Sequence, residues 1–136
     1  TENILVTFNE LRLELIEAHE TNVGEIETLR AYAESIRTSA ESLSELGYVL
    51  LEEDIQILRD NITQLKSLRS DLLETSGEAY QRIYDLRGTY TRENLPDIIV
   101  VYQEVIEVLN DRLEIFQNAN QIMMQIDQIL LEYLEN

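Results

Sequence analysis

The chain contains no cysteine and no tryptophan, a single proline and only four glycines. Without cysteine there are no disulfides and no thiolate metal sites, although this does not choose a compartment, since oxidising compartments also hold cysteine-free proteins. So few glycines and prolines cannot supply the tight turns of a β-sandwich or barrel. Long apolar runs are missing as well. The longest, from Ile98 to Tyr102, is far short of the ~20 residues that span a bilayer, so no membrane insertion is expected within this chain. Nor does Thr1 to Phe8 form a signal peptide, since it carries an acid and no basic cluster.

Cations are scarce too. Lys and Arg number 10 against 27 Asp and Glu, for a net charge of −17, and Lys66 is the single lysine. An anionic surface of this size repels phosphates and anionic headgroups, which argues against nucleic-acid binding. Histidine occurs once, as His19. A ferritin-like di-iron site needs two Glu-x-x-His pairs, and Ile16 stands where the glutamate of such a pair would be. A Ser-His-Asp site needs a strained nucleophile turn, and nothing resembles Gly-x-Ser-x-Gly. No two glycines are close enough to cradle a phosphate. Glu52-Glu53-Asp54 lacks the alternating ligands of a calcium loop and suits the positive end of a helix. Asn61-Ile62-Thr63 matches a glycosylation sequon, but falls inside a helical pattern. No metal, no cofactor and no enzymatic activity are expected.

What remains is helical periodicity. From Pro96 onward, steps of three and four give Ile99, Tyr102, Ile106, Leu109, Leu113, Phe116, Asn120, Met123, Asp127, Leu130 and Leu134. That is an a/d seam whose polar members, Asn120 and Asp127, are of the kind that sets register or oligomeric state. A first pattern runs from Ile4 to Leu46 through Phe8, Leu11, Leu15, Ala18 or His19, Asn22 or Val23, Ile26, Leu29, Ala33, Ile36, Ala40 and Leu43. The step from Leu15 to Ile26 does not fit heptads and suggests an insertion that unwinds the supercoil, with Gly24 as the weak point of a continuous helix. Gly47 suits a left-handed C′ residue. A second pattern then runs through Leu51, Ile55, Leu58, Ile62, Leu65, Arg69, Leu72, Ser76, Ala79, Ile83, Leu86 and Tyr90. Its unbroken register predicts one helix to about Arg87, frayed near Gly77, despite a capping-box match at Thr75–Glu78. The loop 88–95 follows, with Asn94 or Leu95 at the N-cap and Pro96 in the first turn.

Three matched patterns with short connections predict one all-α domain over 1–136, an elongated antiparallel up-down-up bundle of three helices, each ~60 Å long. A break at Gly24 or Gly77 gives a four-helix bundle instead.

Two features point beyond packing. Arg69 sits in the seam between Leu65 and Leu72. Either Leu68 and Leu73 take over the core stripe while Arg69 snorkels outward, or Arg69 faces a cleft and grips a ligand carboxylate. The tract 80–92 gathers Tyr80, Tyr84, Arg87, Tyr90 and Arg92, a composition found at contact hot spots and equally at a tyrosine-capped end of a core. A homodimer is a further expectation, with Asn120 and Asp127 fixing its register.

In size, heptad rhythm and ends that look cut (no initiator methionine, and a seam still running at Leu134), the chain resembles the helical-bundle sensor domains of bacterial chemoreceptors and sensor histidine kinases. The resemblance implies an extracytoplasmic sensing or signal-relay domain of a membrane-bound receptor, recognising a small molecule or a protein partner. The alternative is a structural rod, scaffold or anchored stalk that mediates protein–protein interaction. A domain between two membrane spans needs both termini at one end, which three helices do not give.

Overall fold

The computed structural model describes residues 2–135 except Ser76 and 87–89; the side chains of residues 2 and 78–80 also lie outside the description. The described residues form four helices and no strand: α1 (Glu2–Glu45), α2 (Glu52–Glu74), α3 (Glu78–Asp85) and α4 (Leu95–Glu135). α4 is the central element, in contact with each of the other three and most extensively with α1. Its composition explains the position. Ile98, Val105 and Leu109 are almost completely shielded from water, and Val101, Tyr102, Ile106, Phe116, Ile126 and Leu130 are buried as well. A stripe this wide can face two neighbours at once, whereas α1 and α2 each bury a narrow one.

Paired residues ascend together along α1 and α4. Phe8 stacks on Tyr102, Asn22 bonds to Leu109, Ser35 to Asp127, and Leu43 packs with Ile126 and Leu130. Along α2 and α3 they descend. Asp54 meets Tyr133, Leu72 meets Arg112, Arg82 pairs with Glu104, and Ile83 packs on the cluster of Val101, Val105 and Leu109.

α1 is continuous through Gly24, as the sequence suggests, but the expected insertion is not there. The inward positions are Phe8, Leu11, Leu15, Ala18, Asn22, Glu25, Leu29, Tyr32, Ile36, Ser39 and Leu43, an unbroken heptad rhythm. Polar residues fill three of its steps, and reading apolar residues alone skips them. Asn22 and Ser39 are buried, whereas His19, Val23, Ala33 and Ala40 are exposed. The same correction applies to α2. Its inward stripe is Leu58, Asn61, Leu65, Leu68 and Leu72, with Ile62 and Arg69 outside. Leu68 thus takes over from Arg69, whereas Leu73 remains 63% exposed. Burial of Asn61 also removes the sequon from enzymatic reach in the folded chain.

The second pattern is not one helix. α2 ends at Glu74, and Thr75 closes it with its backbone N–H on Leu72 and Leu73 carbonyls and its hydroxyl on Leu72. Gly77 has φ +100°, a conformation no helix can contain, and α3 begins one residue later without a side-chain cap. Thr75 is therefore a C-cap, not the start of a capping box. α3 lies against an earlier part of α4 than α2 does, with Arg82 on Glu104 and Ile83 on Val101, Val105 and Leu109.

Turn chemistry follows the sequence more closely. Gly47 (φ +74°) closes α1 as a Schellman motif, with Tyr48 N–H on the Leu43 carbonyl and Gly47 N–H on that of Ser44. Before α4, Thr91 and Asn94 exchange bonds, each backbone N–H donating to the other's side-chain oxygen. That is a reciprocal cap one turn ahead of Leu95, and Pro96 falls just after it, where its missing N–H interrupts the helical ladder.

Candidate functional site

Three places gather functional groups. At the end where α4 begins, Phe8, Tyr90 and Tyr102 form an aromatic cluster. Phe8 stacks on Tyr102 at 5.5 Å, Tyr90 meets both rings edge-on, and the two phenol oxygens lie 2.6 Å apart. Burial, then the hydrogen bond with Tyr90, pushes the Tyr102 phenol well above its usual range. Tyr90 is thus half in the core and half in water, at 44% exposure. Of the other residues singled out in this tract, Tyr84 is exposed on α3, and Arg92 borders a small apolar recess formed with Ile4, Leu5 and Leu95. The side chain of Tyr80 and the whole of Arg87 lie outside the described residues.

Along the middle of the molecule runs a polar seam between α1 and α4. Asn120 donates to the backbone carbonyl of Glu25 at 2.9 Å and to its carboxylate at 2.7 Å, Asn22 donates to the Leu109 carbonyl, and the Ser35 hydroxyl donates to Asp127 at 2.7 Å. Asn120 and Asp127 are both buried, and these partners belong to the same chain. One polar atom on each of Asn22 and Asn120 has no partner. The sequence singled out Asn120 and Asp127 but not Ser35 or Glu25, their partners. A small hydroxyl and a long acid on an acidic helix carry no pattern of their own.

The third place is a cavity of about 280 Å³ between α1, α2 and α4. Leu29 and Ala33 of α1, Leu65, Leu68 and Leu72 of α2 and Phe116 of α4 line it, with Arg69 at its edge. Its origin is geometric: α1 and α2 both pack on α4 while their own Cα atoms stay more than 8 Å apart. Arg69 points to neither extreme expected from the sequence, being exposed yet lining the cavity. A second cation stands nearby. Arg112 of α4 lies 5.7 Å over the Phe116 ring and reaches the Leu72 carbonyl (3.4 Å) and the Thr75 hydroxyl (3.3 Å). Sequence reading missed it because Arg112 sits beside the α4 seam, not in it. Two wider grooves, one between α2 and α4 and one between α1 and α4, are lined mainly by amides such as Gln64, Asn118 and Gln121. They offer hydrogen bonds but no cation.

No family model, curated protein or solved structure matches this chain. Among the described residues, no group of three His, Asp or Glu side chains is placed to hold a metal ion, and no helix is long and apolar enough to cross a membrane.

Proposed function

We propose that the chain is a non-enzymatic helical rod, a scaffold or anchored-stalk module that works through contact with other proteins. The observation that carries this reading is the order of paired residues. Ascending pairs between α1 and α4, and descending pairs along α2 and α3, support an up-down-up bundle with α2 and α3 as one bent stave. Such a bundle puts the two ends of the chain ~60 Å apart at the 1.5 Å rise of a helix. A rod of this form joins what is attached at one end to what is attached at the other. Its sides also remain open. The surface measures 9485 Å² for 15.9 kDa, against about 7,400 Å² expected for a compact chain of that mass. Part of the excess is elongation, and part is apolar surface such as Leu13, Ile16 and Val23 along α1. Spin labels at residues 2 and 135 test the proposal. A separation near ~60 Å within one chain is expected, and a separation under half of that overturns it.

A second reading, the extracytoplasmic sensing or relay domain of a membrane-bound receptor, is favoured by the cavity beside Arg69, which offers a ligand a place to bind. In that reading a single anchor suits the separated ends better than two membrane spans. Hydrophobic spans found on both sides of the chain in its gene would favour the two-span receptor despite this geometry.

A further inference from the structure

We infer that the cavity between α1, α2 and α4 binds a small molecule with an aliphatic body and one carboxylate head. The walls specify the body. They are leucines with Ile115, Met123, Phe116 and two alanines, and no acid lines them in a chain that has 27. A volume of about 280 Å³ is just below the usual range of small-ligand pockets and suits a short, slender molecule.

The cations specify the head. Arg69 lines the cavity, and Arg112 stands beside it, over the Phe116 ring and hydrogen-bonded to the carbonyl of Leu72, two residues that also line it. Among the described residues the ion pair is Arg82–Glu104, and neither Arg69 nor Arg112 has a described carboxylate within 4.0 Å. In a chain of net charge −17, an arginine lining an apolar space and a second one beside it, neither with an acid partner among the described residues, form a complementary seat for an anion. A planar guanidinium suits a carboxylate in particular. Charge also disfavours a second copy of this chain as the occupant, since it would bring an equal negative charge to the same face. The site needs only the cavity and its two arginines. It therefore goes beyond the rod proposal and stands whether the chain is a stalk or a receptor domain.

The test is a titration of the full chain with sodium decanoate below its micelle concentration, followed by methyl NMR and light scattering. Saturable shifts of the Leu65, Leu72 and Met123 methyl signals are expected, with the mass staying at one chain. Decanol is expected to bind at least about tenfold more weakly, and acetate not at all. Arg69→Gln should weaken decanoate about tenfold while leaving decanol unchanged. Ala33→Leu, at an exposed position that tolerates the change, should fill the space and weaken both. Decanol binding as tightly as decanoate, or Arg69→Gln without effect, overturns the anion seat. Absence of saturable shifts overturns the site itself. Doubling of the mass together with the same shifts overturns the small-molecule assignment and gives the cavity to a second copy.

Discussion

Replacing Gly24 by alanine should stabilise this protein, and the same change at Gly47 or Gly77 should do the opposite. Gly24 lies inside the 44 residues of α1 with ordinary helical geometry, and a methyl group there meets no heavy atom within 4 Å. The substitution therefore creates no clash and removes only the backbone freedom that glycine has in the unfolded chain. In a helix interior that difference is about 0.8–1.0 kcal/mol. Unfolding entropy of about 2.1 cal/mol/K per residue, over 136 residues, converts 1 kcal/mol into a rise in Tm of about 3 °C. At Gly47 the backbone has φ +74°, where an L side chain costs about 1–2 kcal/mol, so Tm should fall by about 3–7 °C; Gly77, at φ +100° and ψ −52°, lies outside even the left-handed helical region and should lose at least as much. Thermal unfolding followed by far-UV circular dichroism reads all three variants. A fall in Tm for Gly24→Ala would mean that the helix is not continuous there. The unbroken seam on which the pairing of α1 with α4 rests would then be wrong.

Four more predictions address the core, the polar seam, the aromatic end and the oligomeric state. Leu109→Ala, at a side chain with 0% exposure, should cost about 3–4 kcal/mol in urea unfolding; a loss below about 1 kcal/mol would mean that α4 is not the core helix. Ser35→Ala leaves buried Asp127 without its donor and should cost about 1–3 kcal/mol, whereas the same change at exposed Ser44 should be nearly silent. The raised Tyr102 phenol contributes stability that is complete below the unfolded value of 10.0 and declines as pH rises above it. Tyr102→Phe should therefore flatten the fall in Tm above that pH, and an unchanged profile would refute the linkage. Because the partners of Asn120 and Asp127 lie within one chain, light scattering at micromolar concentration should give the mass of a single chain, and a stable dimer would assign these residues a second role.

Much of the secondary structure was legible because it depends on local chemistry. Gly47 ends a helix wherever a left-handed residue is needed, and Pro96 with Asp97 marks a helix start without reference to any neighbour. The stripe of α4 was legible for a related reason: it is apolar almost throughout, and its spacing alone indicates burial. The polar members of the α1 seam were not. Asn22 and Glu25 face inward to the Leu109 carbonyl and the Asn120 amide of α4, and Ser39 is buried on the same face. That information resides in residues about ninety positions away. Arg69 is the same case in reverse. Its place in the pattern suggested the core, but Leu68 one step away fills that space at lower cost, since a buried cation must be desolvated.

The sequence by itself therefore determined that this chain is helical, where two of its turns fall and which segment carries the most continuous apolar seam. Periodicity and turn residues act over a few positions and need no partner to be expressed. Tertiary structure decided the remainder. Packing on α4 selected which side of α1 and α2 is the inside, the positive φ at Gly77 separated α3 from α2, and the spacing of the α1 and α2 backbones opened the cavity beside Arg69. Each of these depends on the distance between helices, which side-chain volume and burial set together and no single stretch of sequence encodes.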